Sequence, residues 1–223
     1  MLYPVCHHGR VTAPTDWYAW HAPYDELVSP LTRRLAVVQD AVREFLDGAP
    51  AGPLRMVSLA SGQSRDLLPL LIEHPRGPDV LARLVELDER NVDFAEGAVL
   101  GAGLSGVEVV AGDAGRVDAY VGAVPADLVL ACGLFGSITL AEVQQTVRAL
   151  PQLCARDATL VWTRNRRADD PTAAIRSWLT ETGFSEVSFR TGSEEEGAFS
   201  VGVARWPGPA GTPARGTRMF SLN

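Results

Sequence analysis

Apolar and polar positions along the chain alternate between two periods. From Ser29 onward, Leu31, Leu35, Val38, Val42 and Phe45 recur at helical spacing. Ser29 serves as N-cap, Pro30 takes the first helical position and Gly48 is the stop. After a Pro/Gly linker at 49–53, short apolar runs at 54–59, 83–87, 107–111, 127–131, 158–162, 187–190 and 200–206 read as strands. Helical patterns separate most of them, at 66–73, 88–100 and 170–182. A further helix opens on the capping box Thr139-Leu-Ala-Glu142 and ends near Leu150.

Strands divided by helices require crossover connections. This predicts an α/β, Rossmann-like, seven-stranded and mainly parallel sheet with helices on both faces. The last two strands are joined only by the acidic loop 192–197, so they should form an antiparallel pair at one edge. Residues 1–53 form an aromatic-rich segment and a helix, expected to cover the core at 54–206. The tail 207–223, rich in Pro and Gly, is expected to be loosely ordered as far as Arg218-Met219-Phe220.

The 223 residues, 46% hydrophobic and 21% charged, suit a single soluble globular domain. No apolar run approaches the roughly 18 residues that span a bilayer, and the start MLYPVCHHGR lacks a secretory pattern. Cys6, Cys132 and Cys154 are odd in number and widely spaced, which fits reduced thiols in the cytoplasm. The net charge is −7, and all 20 basic residues are arginine. Without lysine, Schiff-base and P-loop chemistry are excluded, and no basic stripe offers a nucleic-acid footprint. His7-His8 has no acid or cysteine partners at ligand spacing, so no metal site is expected.

Ligands of such sheets lie beyond the carboxyl ends of the strands, so the residues just after each strand matter most. The first strand runs into Ala60-Ser61-Gly62-Gln63-Ser64, where small side chains let a backbone approach a ligand closely. If Ser64 caps the next helix, Pro69 falls inside it; if Asp66 does, Pro69 is harmless, and Asp66 is the favoured cap. A carboxylate there would oppose a phosphate at the helix start, which argues against a dinucleotide pyrophosphate. The second strand ends at Glu86-Leu87, placed to accept from ribose hydroxyls, with Asp88 as the next N-cap. The third ends at Asp113-Ala114, and the fourth leads into Cys132-Gly133-Leu134-Phe135.

Together these residues resemble the class I S-adenosylmethionine-dependent methyltransferases over 54–206. In that family the first loop reads acid-x-Gly-x-Gly-x-Gly; here it is Ser58-x-Ala60-x-Gly62-x-Ser64. The resemblance implies that Ala60, Ser61 and Gly62 lie against the cofactor's amino-acid part. Glu86 and Leu87 would hold its ribose, Asp113 and Ala114 its adenine, and Cys132 and Gly133 would stand between cofactor and substrate. Ser58 occupies the place of the family's acid.

Methyl transfer is an in-line displacement in which positioning supplies much of the rate. If a base takes part, His21 is the candidate catalytic residue, because its ordinary pKa suits proton abstraction near neutrality. Tyr18, Tyr24 and Phe135 are the expected walls of the substrate pocket. The expected acceptor is a small molecule methylated at oxygen, since the amino-methylation signature Asn/Asp-Pro-Pro-Tyr is missing at 131–134. The alternatives are a nicotinamide-dependent oxidoreductase, which would lack the Tyr-x-x-x-Lys pair, and a non-catalytic binding protein that keeps the fold.

Overall fold

The computed structural model describes residues 15–26, 28–166 and 170–222. His7, His8 and Cys6 lie outside them. Seven strands form one sheet in the order β3-β2-β1-β4-β5-β7-β6, with β1 Leu54–Leu59, β2 Val80–Glu86, β3 Val107–Ala111, β4 Ala126–Ala131, β5 Cys154–Asn165, β6 Ser185–Thr191 and β7 Phe199–Trp206. β1 to β5 run parallel, while β7 enters antiparallel between β5 and β6.

Strand side chains alternate between two cores, as a period of two requires. Val57, Leu59, Val129, Ala131, Leu160 and Trp162 face one layer. Met56, Leu84, Leu128, Leu130 and Val161 face the other. The second layer is closed by α1 Pro30–Gly48, α2 Leu68–Glu73 and α3 Glu89–Ala102, through residues such as Val42, Leu71 and Ala95. The first is closed by α4 Leu140–Ala149 and α5 Thr172–Thr182, through Val143, Val147, Ile175 and Leu179. Burying both faces is what makes parallel strands read as continuous apolar runs.

The helix starts follow local chemistry. Ser29 accepts from Thr32 N at 3.1 Å, Asp88 accepts from Arg90 N at 3.0 Å, and Thr139 with Glu142 completes its capping box. The 66–73 helix differs from expectation. It begins at Leu68 with Leu67 at the cap position and no side-chain cap bond, because the N–H groups of Leu67 and Leu68 bond the Ser64 carbonyl instead. Asp66 is therefore free of the capping duty assigned to it.

The tail also differs from expectation, being pinned well before Arg218. Gly211 N bonds Cys154 O at 2.7 Å, and Ala214 N bonds Gln152 Oε1 at 2.9 Å. Arg218 then bridges Arg116, and Met219 and Phe220 are fully buried against the α4 layer. The tail thus climbs that face of the molecule from the start of β5 to the loop after β3. Among the described residues no helix is long and apolar enough to cross a membrane.

Candidate functional site

The loop after β1 is built on an unusual backbone. Ala60, Gly62 and Ser64 all have φ near +50°, at 49°, 54° and 52°. Left-handed φ costs a residue with a Cβ roughly 1–2 kcal/mol. Ala60 and Ser64 thus hold the conformation for which glycine is the default residue, although neither is glycine. Ser61 N donates to Val85 O at 3.0 Å, and Gly62 N donates to Glu86 Oε2 at 2.7 Å, tying this loop to the end of β2. Glu86 is 6% exposed, and its other oxygen accepts from Asp88 N at 2.9 Å. A carboxylate has about four acceptor sites, so Glu86 retains capacity for further donors.

Over this loop lies a cavity of about 260 Å³. Its floor is Ala60, Ser61, Gly62, Glu86, Leu87 and Asn91; its far wall is Cys132, Gly133 and Leu134. Its roof is a short 3-10 turn, Ala19–Asp25, carrying Trp20, His21 and Tyr24, and Leu35 and Val38 of α1 close one side. Leu222 of the tail reaches the rim.

Charged side chains tether the roof from outside. Arg90 pairs with Asp16 at 2.7 Å and stacks on Tyr18 at 5.3 Å, while Arg65 pairs with Asp25 at 2.8 Å. Inside, Trp20 and Tyr24 flank the His21 ring at 5.2 and 5.8 Å. A Cβ on Gly62 would come within 2.3 Å of His21 Nε2, so only glycine fits beneath the imidazole. His21 Nδ1 lies 2.8 Å from Trp17 O, a carbonyl that can only accept. Nδ1 therefore carries the proton, and Nε2, which lies over Gly62, keeps its lone pair. Burial pushes the His21 pKa down, against a smaller upward pull from Trp17, which keeps the ring neutral near pH 7.

Several buried polar atoms on the cavity wall have no hydrogen-bond partner: Ser61 Oγ, Asp66 Oδ1 and both ends of the Asn91 amide. Each such group costs about 1–3 kcal/mol unless something binds it, and the three residues that carry them all line this one cavity. The Asp66 carboxyl faces the Cys132 thiol. Burial drives Asp66 up to about 6, and burial, with the Asp66 charge second, drives the thiol well above its ordinary range.

The structure brings His21, Tyr24, Ala60, Ser61, Gly62, Glu86, Leu87, Cys132 and Gly133 to this cavity. Four other residues named from sequence lie elsewhere. Phe135 is fully buried against Trp162, 6.0 Å between rings, and belongs to the core instead of the pocket wall. Ala114 is also core. Asp113 stands outside the cavity, accepting from Gly115 N at 3.0 Å and from Arg218 at 2.9 Å. Tyr18 is 40% exposed and lines the outer hollow over α2 and α3.

Sequence reasoning missed Asn91, Arg34 and the true place of Asp66. The first two carried a faint signal, since each is a polar residue on the apolar face of an amphipathic helix. Asp66 carried none, because its role follows from the loop's backbone.

No protein-family model matches the chain, and no curated protein matches its sequence. Solved structures do match its fold. Magnesium protoporphyrin IX methyltransferase from Synechocystis PCC 6803, with S-adenosylmethionine bound, superimposes with a TM-score of 0.65 at 15% identity, over 87% of this chain and 99% of that one. A possible exported protein from Bordetella parapertussis gives 0.65 at 19% identity, over 91% and 77%. An O-methyltransferase family protein from Burkholderia thailandensis gives 0.64 at 16%, over 85% and 59%. The chain has the fold of the class I S-adenosylmethionine-dependent methyltransferases, including the strand order and the antiparallel end.

Proposed function

We propose that the protein is an S-adenosylmethionine-dependent methyltransferase acting on the oxygen of a small molecule. The observation that carries this reading is the set of orphaned polar atoms, Ser61 Oγ, Asp66 Oδ1 and the Asn91 amide. They surround a left-handed loop clamped by Glu86 at the carboxyl ends of β1 and β2. When bound, the cofactor supplies an electrophilic methyl group on a sulfonium. Glu86 and Asn91 would hold the ribose, and the Ala60–Ser64 loop would lie against the amino-acid part. Asp66 would supply the carboxylate that position 58 lacks, because Ser58 is buried within β1. With its pKa near 6, Asp66 ionises readily beside an incoming ammonium.

The acceptor hydroxyl would give its proton to His21 Nε2 as its oxygen takes the methyl group, and the S–CH₃ bonding pair stays on sulfur. Trp20 and Tyr24 exclude water. The acids lining the cavity, Asp66, Glu86 and Asp88, and the absence of lysine weigh against a nicotinamide dinucleotide. The thiols Cys132 and Cys154 are unpaired, in keeping with a cytoplasmic setting.

Calorimetry with S-adenosylhomocysteine and NAD tests the reading. The expected result is micromolar binding of the first and none of the second. Glu86→Ala should weaken the first by about 1.5–3 kcal/mol, the scale of a hydrogen bond to a charged group. Failure of S-adenosylhomocysteine to bind at millimolar concentration would refute it.

A further inference from the structure

A second, smaller cavity of about 80 Å³ opens beside the first at the carboxyl ends of β4 and β5. Trp20, Arg34, Gly133 and Ser137 wall both cavities, and Thr163, Arg164 and Asn165 close the new one. Among the described residues its lining holds two arginines and no acid, in a chain whose net charge is −7.

Arg34 is the anomaly. It sits in the second turn of α1 and is only 4% exposed. Its guanidinium donates to Asn165 Oδ1 at 3.1 Å and to Tyr24 Oη at 2.8 Å, and it lies 5.7 Å from the Trp20 ring centre. All three partners are neutral. Every ion pair among the described residues is formed by other side chains. Asp66 feels the Arg34 charge yet lies beyond ion-pair distance. A buried cation held by neutral groups is costly, and a methionine or glutamine could join α1 to β5 without that cost. Arg164 lines the same small space and donates to the Phe135 carbonyl.

We propose that the methyl acceptor is a hydroxy acid whose carboxylate is received by Arg34 in this second cavity. The term acceptor rests on the methyltransferase reading; the carboxylate site does not. A carboxylate engaged by guanidinium has its lone pairs occupied and is a poor nucleophile, so it acts as the handle and a separate hydroxyl is methylated. Trp20 stands between the cavities, which puts the handle on one side of the indole and the hydroxyl on the side of His21.

The test titrates the full chain with 4-hydroxybenzoate and with 4-hydroxybenzamide, its neutral isostere. Ligand-observed NMR follows binding with and without S-adenosylhomocysteine. The acid should bind about tenfold more tightly than the amide or better, and the preference should shrink at high salt. Arg34→Met should abolish it, and Arg34→Lys should keep part. Should Arg34→Met not fold, the wild-type ratio and its salt dependence decide. Equal affinities, no binding of either at millimolar concentration, or an unchanged preference in folded Arg34→Met would each overturn the proposal. An acid preference without S-adenosylhomocysteine binding keeps the site and removes the methyltransferase reading. The reverse pattern does the opposite.

Discussion

At the scale of single residues, Asp66 links stability to function. Burial lifts its carboxyl from 3.8 to about 6, so between those values the folded state holds a proton that the unfolded state has lost. Stability therefore falls as pH rises from about 4 to 6, and the loss is complete above that range. Asp66→Asn should leave urea stability at pH 4 unchanged, raise it at pH 8 by about 1–3 kcal/mol, and weaken S-adenosylhomocysteine at both. An unaltered stability at pH 8 would place the carboxyl in water. His21 is separable from it. With an acceptor in hand, His21→Ala should lower kcat by about 10²-fold or more and leave S-adenosylhomocysteine affinity within a few-fold. Equal losses in both would make His21 a packing residue of the roof.

At the scale of elements, what could be read from sequence depended on whether a segment's order is set by its own periodicity. Strands β1 and β4 were legible because both faces are buried, and α1, α3 and α4 because their caps are local. β5 begins four residues before the expected start, since Arg156 and Asp157 break its apolar run while the backbone continues. The helix after β1 was misread at its start because the left-handed turns at Ala60 and Ser64 are invisible in a string of small residues. The tail was misread for a different reason. It has no period, and its order comes from contacts made far away in sequence: Met219 and Phe220 in the α4 layer, and Ser221 N on Glu142 at 3.0 Å. The site followed the same division. Gly62 and Glu86 came from strand ends, whereas Arg34 and Asn91 needed the packed structure. Phe220→Ala should cost about 3–5 kcal/mol, read as a lower urea midpoint with an unchanged m-value. A cost below 1 kcal/mol would mean that the tail covers the layer without stabilising it.

At the scale of the molecule, two cores on opposite faces hold one sheet rigid while its carboxyl edge stays open. The cavity forms where the loops after β1, β2 and β4 diverge, as expected at a switch in strand order. The negative net charge surrounds a pocket whose inner cations are arginines. An anionic handle is therefore selected by the local field at close range and not by the protein's overall sign.

The place of β7 between β5 and β6 bears on how the chain is made. A ribosome delivers β5 and then β6, yet neither can pair with the other, because the strand that separates them is still inside the exit tunnel. Until Phe199–Trp206 emerges, the long flank of β5 from Ala158 to Asn165 has all its outward amides and carbonyls unpaired. Such an edge pairs readily with any extended chain nearby. Translation that stalls in the acidic loop would thus release a nascent chain primed for intermolecular strand addition, a hazard that ends when β7 docks.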